Sequence, residues 1–419
     1  MNNRKILRVI VLGAGASCSY CESPTGLRPP LAREIIPTFH KLDISTNRYV
    51  LVGHIINYVR DTRGILPHEF ASWDEDLETF FSEIDEEVAK YAERIKGEEK
   101  LDSKTFYKYS LAVGAYNQLI FLFASIFNEI QNGPISIPYM LLASELNQND
   151  VVITFNWDTL LDRALAASGK WSPSNGYCIR PEAVFDDEWK SPDDLDDVDN
   201  SPVYIKLHGS TNWLSPYHSI DLSSGGKYTM SKYGISKLFV FVKATKPYET
   251  YEDRYWGSYE PYSYCYYPPN LPIIRDDIEE GRVGIRIVSA IDLPSHGKCV
   301  IGGKGVFSMP LIVPPVRNKQ YTRYGKIFST LWSLAKHSIG RCKHLFIIGY
   351  SFPRTDIAAR QMFKEGLQNN TSLEKITIIN PYPENIEEMF LNEFNIAPPK
   401  LEIRKEKFEV PYGHQGSIL

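Results

Sequence analysis

Cysteine is scarce in this 419-residue chain: six are scattered along it, Cys18, Cys21, Cys178, Cys265, Cys299 and Cys342. Only Cys18 and Cys21 have C-x-x-C spacing, and no second such pair follows to complete a zinc site. The expectation is a reduced, cytoplasmic protein with incidental thiols and no metal. An excess of one charge is also missing. Lys and Arg number 46 against 51 Asp and Glu, a formal net charge of −5. Nothing therefore drives the whole chain onto nucleic acid or an anionic membrane, and no direct nucleic-acid binding is expected. Long hydrophobic runs are lacking too. The greasiest segment, Leu111 to Phe127 ("LAVGAYNQLIFLFASIF"), is interrupted by Asn117 and Gln118. It falls short of the roughly 20 apolar residues a membrane span needs, so it reads as a buried helix or a subunit contact. The first apolar run is too short for a signal peptide. No Walker A pattern and no internal repeat occur.

What is there is an ordinary globular composition, 43% hydrophobic and 23% charged, with length for one large or two ordinary domains. The pattern is mixed α/β. Strand candidates are "RVIVL", "VVITF" (Val151 to Phe155), "VYIKL" (Val203 to Leu207), "LFVFV" (Leu238 to Val242), "PLIVP" (Pro310 to Pro314), "HLFIIGY" (His344 to Tyr350) and "KITIIN" (Lys375 to Asn380). Continuous apolar runs suit parallel strands covered on both faces. Residues 31–150 read as a helical insertion. Within it Leu77, Phe80, Phe81, Ile84, Val88, Tyr91 and Ile95 share one helical stripe, and Lys104 to Gln131 reads as a central helix. Phe185 to Asn200 is acidic and reads as a solvated loop, without the mid-loop glycine of an EF-hand. Residues 246–270, rich in Tyr and Pro, read either as a loop packed on its own aromatics or as a recognition surface. Residues 382–419 read as a C-terminal extension. The whole is taken as a single domain.

Five short segments fall at the ends of strand candidates, where open α/β sheets bind ligands. In Gly13-Ala14-Gly15-Ala16-Ser17 the glycines permit a sharp turn and close approach to a phosphate, and Ser17 can cap a helix or bond a phosphate. The third glycine of a dinucleotide fingerprint is replaced by Cys18, and no following strand with an acidic residue about 20 positions on is read. A nucleotide loop and a plain strand-to-helix turn both remain open. In "TFNWD", Thr154, Asn156 and Asp158 flank a strand end; helix capping suits Asp158 and suits Asn156 less well. In "KLHGS", His208 precedes a glycine at a strand end, from which an imidazole with an ordinary pKa near 6.5 can enter a cleft and exchange a proton. A structural histidine is the alternative. "GYSFPRTD" offers a Gly349-Tyr350-Ser351 turn, with Thr355 and Asp356 starting the next helix. Asn380 suits a ribose or adenine edge, or a plain turn.

Taken in order, GAGxS, TxNxD, KLHG, GYS and IIN resemble the sirtuin family. They resemble more closely the bacterial sirtuin-like NADase domains of anti-phage defence systems. "DLETFF" (Asp76 to Phe81) and "LIVPP" (Leu311 to Pro315) look like further recurrent segments, and the resemblance spans roughly Arg8 to Pro381. Two departures stand out. The paired cysteines of the deacylase zinc ribbon are missing, and "SPTGLRPP" (Ser23 to Pro30) replaces the family's "GIP-x-F".

The resemblance implies a Rossmann-like, mostly parallel sheet with an inserted helical subdomain and no zinc ribbon. It implies NAD+ as substrate, bound by Gly13, Ala14, Gly15, Ala16, Ser17, Thr154, Asp158, Gly349, Ser351 and Asn380. Asn156 and His208 would be catalytic: His208 takes a proton from a ribose hydroxyl or water, and Asn156 positions water and ribose. It also implies an NAD+-depleting effector of abortive infection, held in check by homo-oligomer assembly or by a HerA-type ATPase partner. A protein deacylase and a non-catalytic NAD+- or ADP-ribose-binding module are the alternatives. His208→Ala and Asn156→Ala are expected to abolish NAD+ loss while leaving folding intact.

Overall fold

A computed structural model of the chain describes residues 6–31, 34–42, 48–73, 75–96, 102–131, 133–186, 188–221, 229–231, 238–241, 306–316, 319, 326–353, 356–410 and 417–419. The tyrosine-rich stretch 246–270, with Cys265, Cys299 and Thr355, lies outside them.

The chain opens with β1 (Arg8–Leu12) and a single helical turn, α1 (Ala14–Ser17). Every described regular element from there to β2 is helical: α2 (Ile35–Lys41), α3 (Arg48–Arg63), a short 3-10 turn, α4 (Leu77–Lys96), α5 (Ser103–Gln131) and α6 (Ile137–Glu145). Next come β2 (Asp150–Thr154), α7 (Leu160–Ala167), β3 (Ala183–Asp186), β4 (Glu188–Lys190) and β5 (Val203–Lys206). β6 (Gly209–Asp221), β7 (Thr229–Ser231), β8 (Phe239–Phe241) and β9 (Val306–Ile312) follow. The remaining elements are α8 (Lys326–Ile339), β10 (His344–Ile348), α9 (Ile357–Gln368), β11 (Lys375–Ile379), α10 (Glu384–Asn392) and β12 (Leu401–Arg404).

Six strands form an all-parallel sheet in the order β12-β11-β10-β1-β2-β5. Numbered among themselves along the chain, they run 3-2-1-4-5-6, the doubly wound arrangement whose order reverses beside the first strand. That reversal lies between β1 and β10. The central strands are buried throughout, from Val9 to Leu12, Val151 to Ile153 and Leu345 to Ile348. This is why they read as unbroken apolar runs rather than alternating ones.

The helices between β1 and β2 share this core. Ile55, Phe80, Phe81 and Phe123 belong to one contiguous buried cluster with the strands. α4 begins where the Asp76 carboxylate accepts from the Thr79 amide at 3.1 Å, and its apolar stripe, Leu77, Phe80, Phe81 and Ile84, is buried. α5 packs against α3 and α4. By length and composition it could cross a membrane, yet 73% of its most apolar window is buried in the fold.

Two of the strand candidates belong elsewhere. "LFVFV" and "PLIVP" contribute β8 and β9 to a second, largely antiparallel sheet, ordered β4-β3-β8-β6-β7 with β9 paired to β6. A short apolar run buried in either kind of sheet has the same pattern, so periodicity does not separate them. The acidic stretch 185–200 starts as the β3–β4 hairpin, with Phe185 opposite Trp189, before turning into loop. Residues 384–404 supply α10 and the sheet's edge strand β12.

Candidate functional site

The parallel strands end level. Leu12 of β1 is in register with Thr154 of β2 and Ile348 of β10, and Thr154 with Lys206 of β5. Two residues past each of those ends stand Ala14, Asn156, Tyr350 and His208. Segments more than three hundred residues apart in sequence therefore meet along one edge, beside the point where strand order reverses.

The two glycine turns pack on each other there. The Gly13 amide donates to the Ile348 carbonyl at 3.0 Å, and the Gly15 amide to the Gly349 carbonyl at 2.9 Å. A methyl group on Gly13 would stand 2.4 Å from the Tyr350 Cα, and one on Gly349 only 2.2 Å from the Ala16 nitrogen. Gly349 also has φ +61°, a region costly for other residues. Close approach of backbone to backbone thus accounts for both glycines, with or without a phosphate. Ala14 and Gly15 remain solvent-exposed while Gly13, Ala16 and Ser17 are buried.

Asn156 joins the next strand to this turn. Its side-chain amide donates to the Gly13 carbonyl and to the Ser17 hydroxyl, both at 2.8 Å. Its backbone amide donates to Thr154 Oγ1 at 3.1 Å. The Ser17 hydroxyl in turn donates to Asp158 Oδ2 at 2.5 Å and lies 3.3 Å from the Tyr139 hydroxyl. Asp158 Oδ1 accepts from the Leu160 amide at 3.1 Å, closing the turn that leads into α7. Burial pushes the Asp158 carboxyl above the usual carboxylate range, against the pull of Lys206 and the Ser17 hydroxyl. Ser17 and Asp158 therefore bond one another inside the protein, and each is less than 5% exposed.

Beneath that turn lies a buried ion pair. The Lys206 ammonium, wholly buried, reaches Asp162 Oδ2 at 3.0 Å and the Asp158 carbonyl at 2.5 Å. Asp162 also accepts from the Tyr204 hydroxyl at 2.9 Å and from the Tyr177 hydroxyl. A charged pair in so dry a place holds only because its remaining hydrogen-bonding capacity is filled. It fixes the backbone that carries Asn156 and Asp158.

His208 comes from the far side of the same edge. Its carbonyl accepts from the Val313 amide at 2.8 Å, and the following Gly209 has φ +76° with a would-be Cβ 1.9 Å from the Leu311 carbonyl oxygen. Only glycine fits there, which is why "HG" is the pair that turns the chain from β5 into β6. The imidazole packs edge-on against Phe155, with centroids 5.2 Å apart, and Phe155 stacks flat on Tyr350 at 4.1 Å. His208 Nε2 stands 3.6 Å from Asp356 Oδ2, and Lys319 Nζ stands 3.3 Å from Asp356 Oδ1. The Tyr350 hydroxyl donates to Asp356 Oδ2 at 2.8 Å. Burial, and after it the Lys319 charge, push the His208 pKa down to about 3, while Asp356 and a hydrogen bond to the Phe155 backbone pull upward. The ring is thus neutral near pH 7 and weakly basic. Burial pushes Asp356 up as well, but His208, Lys319 and Tyr350 outweigh it and keep its carboxyl below the usual range.

The structure brings Gly13 to Ser17, Thr154, Asn156, Asp158, His208 and Gly349 to this edge. Asn380 follows β11; its Oδ1 accepts from the Tyr382 amide at 2.9 Å in a local turn. Ser351 is exposed beside Tyr350. Asp356 has one role the sequence did not suggest. It stands at the start of α9 but makes no side-chain cap bond, because its carboxylate faces His208, Lys319 and Tyr350 instead. Lys319 and Tyr139 carried no sequence signal, being brought in by tertiary packing alone. No protein-family model matches this chain, and no curated protein matches it.

Proposed function

We propose that this protein is an NAD+ glycohydrolase. The observation that carries the reading is the juxtaposition of Asn156 and His208 at equivalent positions past adjacent strands, beside the paired glycine turns. A crevice at the carboxyl ends of a 3-2-1-4-5-6 sheet suits a dinucleotide. NAD+ would lie over the exposed backbone of Ala14 and Gly15, with its nicotinamide ribose toward Asn156 and His208.

In the reaction the C1′–N bond breaks and its electron pair leaves with neutral nicotinamide. Water oxygen bonds to C1′, and the proton it sheds goes to His208. The transition state has oxocarbenium character, as in other glycoside cleavages. Both amide hydrogens of Asn156 are held by Gly13 and Ser17, so its Oδ1 is the group left to orient water or a ribose hydroxyl. The products are nicotinamide and ADP-ribose, or a cyclic form where an internal group captures C1′. Such an activity would deplete cellular NAD+, which fits an abortive-infection effector. It needs gating, by self-assembly or by a HerA-type ATPase, and light scattering of the protein with and without such an ATPase tests the pairing.

The deciding experiment is incubation with NAD+ followed by chromatography for nicotinamide, with His208→Ala as control. Turnover by the parent and none by the variant is the expected result; equal turnover by both removes His208 from the chemistry. A second reading, a module that binds NAD+ or ADP-ribose without cleavage, draws support from the low basicity of His208. It predicts a rise in melting temperature on adding NAD+ with no product.

A further inference from the structure

The groups around His208 form a chain of four side chains from three parts of the sequence, His208, Tyr350 and Asp356 buried and Lys319 nearly so. Tyr350 and His208 reach one oxygen of Asp356, and Lys319 reaches the other. Asp356 is 1% exposed, and the Lys319 side chain 9%. A carboxylate this dry interacts strongly with any charge beside it. Accepting a proton turns the imidazole into a cation, and that cation would stand 3.6 Å from Asp356. Lys319, on the opposite oxygen, acts in the other direction: its own positive charge cancels much of what Asp356 offers.

We propose that Asp356 is a positioning residue for His208, holding the ring and stabilising its protonated form, and that Lys319 is the counter-ion that sets how strongly Asp356 does so. The proposal rests on the reading of His208 as the proton acceptor of NAD+ cleavage. In that step an O–H bond of water or of a ribose hydroxyl breaks, a ring nitrogen lone pair takes the proton, and the oxygen keeps its electrons. Asp356 gains nothing and loses nothing; its charge lowers the energy of the imidazolium. Tyr350 keeps the carboxylate aimed, and its stacking on Phe155 fixes the wall against which the ring packs. Among the described residues, the charged or titratable groups beside the ring include Asp356 from the start of α9, Lys319 from the segment after β9, and Tyr350 from the turn after β10.

The test measures His208 directly, by NMR titration of the full-length protein labelled in histidine, with the His208 signal assigned by its loss in His208→Asn. The same samples are assayed for nicotinamide release across pH. Removing the neighbouring cation in Lys319→Met is expected to raise the His208 midpoint by roughly 1–3 pH units. Lys319→Arg, which keeps the charge, is expected to stay at the parental value. Asp356→Asn keeps the shape and the Tyr350 bond but loses the charge. It is expected to abolish any titration above pH 3 and to lower kcat roughly 10- to 1,000-fold, with KM near the parental value. The acidic limb of the pH–rate profile should move with the midpoint in Lys319→Met. A His208 midpoint that stays put in folded Lys319→Met, or an Asp356→Asn variant with parental kcat, overturns the proposal. If the parent releases no nicotinamide at all, the proposed activity fails, while the titrations still decide whether Asp356 and Lys319 govern the ring.

Discussion

The Asn156 side-chain amide donates to the Ser17 hydroxyl at 2.8 Å, across 139 positions of sequence. Its other hydrogen goes to the Gly13 carbonyl. Asn156 is therefore a structural clamp between the end of β2 and the turn after β1 before it is anything else. Its chemistry and its architecture cannot be removed separately by truncation.

Asn156→Ala leaves the buried Gly13 carbonyl and Ser17 hydroxyl without this donor. The Gly13 carbonyl still accepts from the Ala16 amide at 2.9 Å and the Ser17 hydroxyl still donates to Asp158. Each lost hydrogen bond therefore costs about 0.5–1.5 kcal/mol, and the variant should unfold at lower denaturant concentration than the parent. This revises the expectation that the variant leaves folding intact. Urea titration followed by fluorescence checks it, and unchanged stability would mean the clamp is not formed. An activity loss in this variant should be read beside that of His208→Ala, which removes none of these bonds.

Gly349→Ala tests the paired turns. The new methyl meets the Ala16 nitrogen, and the backbone is in the left-handed region. Strain and overpacking together should destabilise by on the order of 2–5 kcal/mol. Gly53→Ala, where nothing lies within 4 Å of the added methyl, serves as the benign comparison. Thermal melts that place the two variants together would show that the turns can separate at little expense.

The sequence carried the parallel sheet well, for a physical reason. β1, β2, β5, β10 and β11 are covered on both faces, so each is a dense apolar run ending in a glycine or a polar residue. β12 escaped notice because Leu401 to Arg404 sit half-buried at the edge and alternate with charge. β6 escaped because its start, "GSTNW", is polar yet buried: Ser210, Thr211 and Asn212 bond inward, Asn212 to the Tyr177 hydroxyl at 3.0 Å. The positions Asn156 and His208 were legible because a strand end followed by a turn is a local signal. The partners Asp356, Lys319 and Tyr139 were not, since nothing local links them to the strands they face.

Lys206→Met should separate the buried pair from simple burial. With the ammonium gone, Asp162 is left in a dry site with only two tyrosine hydroxyls. Breaking a buried pair in this way costs about 3–5 kcal/mol. The double variant Lys206→Met with Asp162→Asn no longer strands a charge and should recover a large part of that loss. Denaturant unfolding of the two variants decides it; a double variant no more stable than the single one would mean that the Lys206 bond to the Asp158 carbonyl, rather than the ion pair, carries the effect.

His208 should also leave a mark on the pH dependence of stability. Folded, its pKa is pushed down to about 3, whereas in the unfolded chain it returns to about 6.5. Between those values the unfolded state holds a proton that the folded state lacks. Stability therefore rises with pH across this window: the full contribution is present above about pH 6.5 and is lost progressively as the pH falls toward 3. The size is on the order of 3–5 kcal/mol over the whole window. Other groups contribute as well, among them Asp158, whose raised pKa favours the folded state at lower pH. The comparison must therefore be between the parent and His208→Asn, with Asp356 keeping Lys319 and Tyr350 in both. The parent should lose stability more steeply than the variant between pH 6.5 and 4. Parallel curves would show that the ring is already charged, or freely solvated, in the folded protein, and it would then not be the neutral proton acceptor that NAD+ cleavage at this site requires.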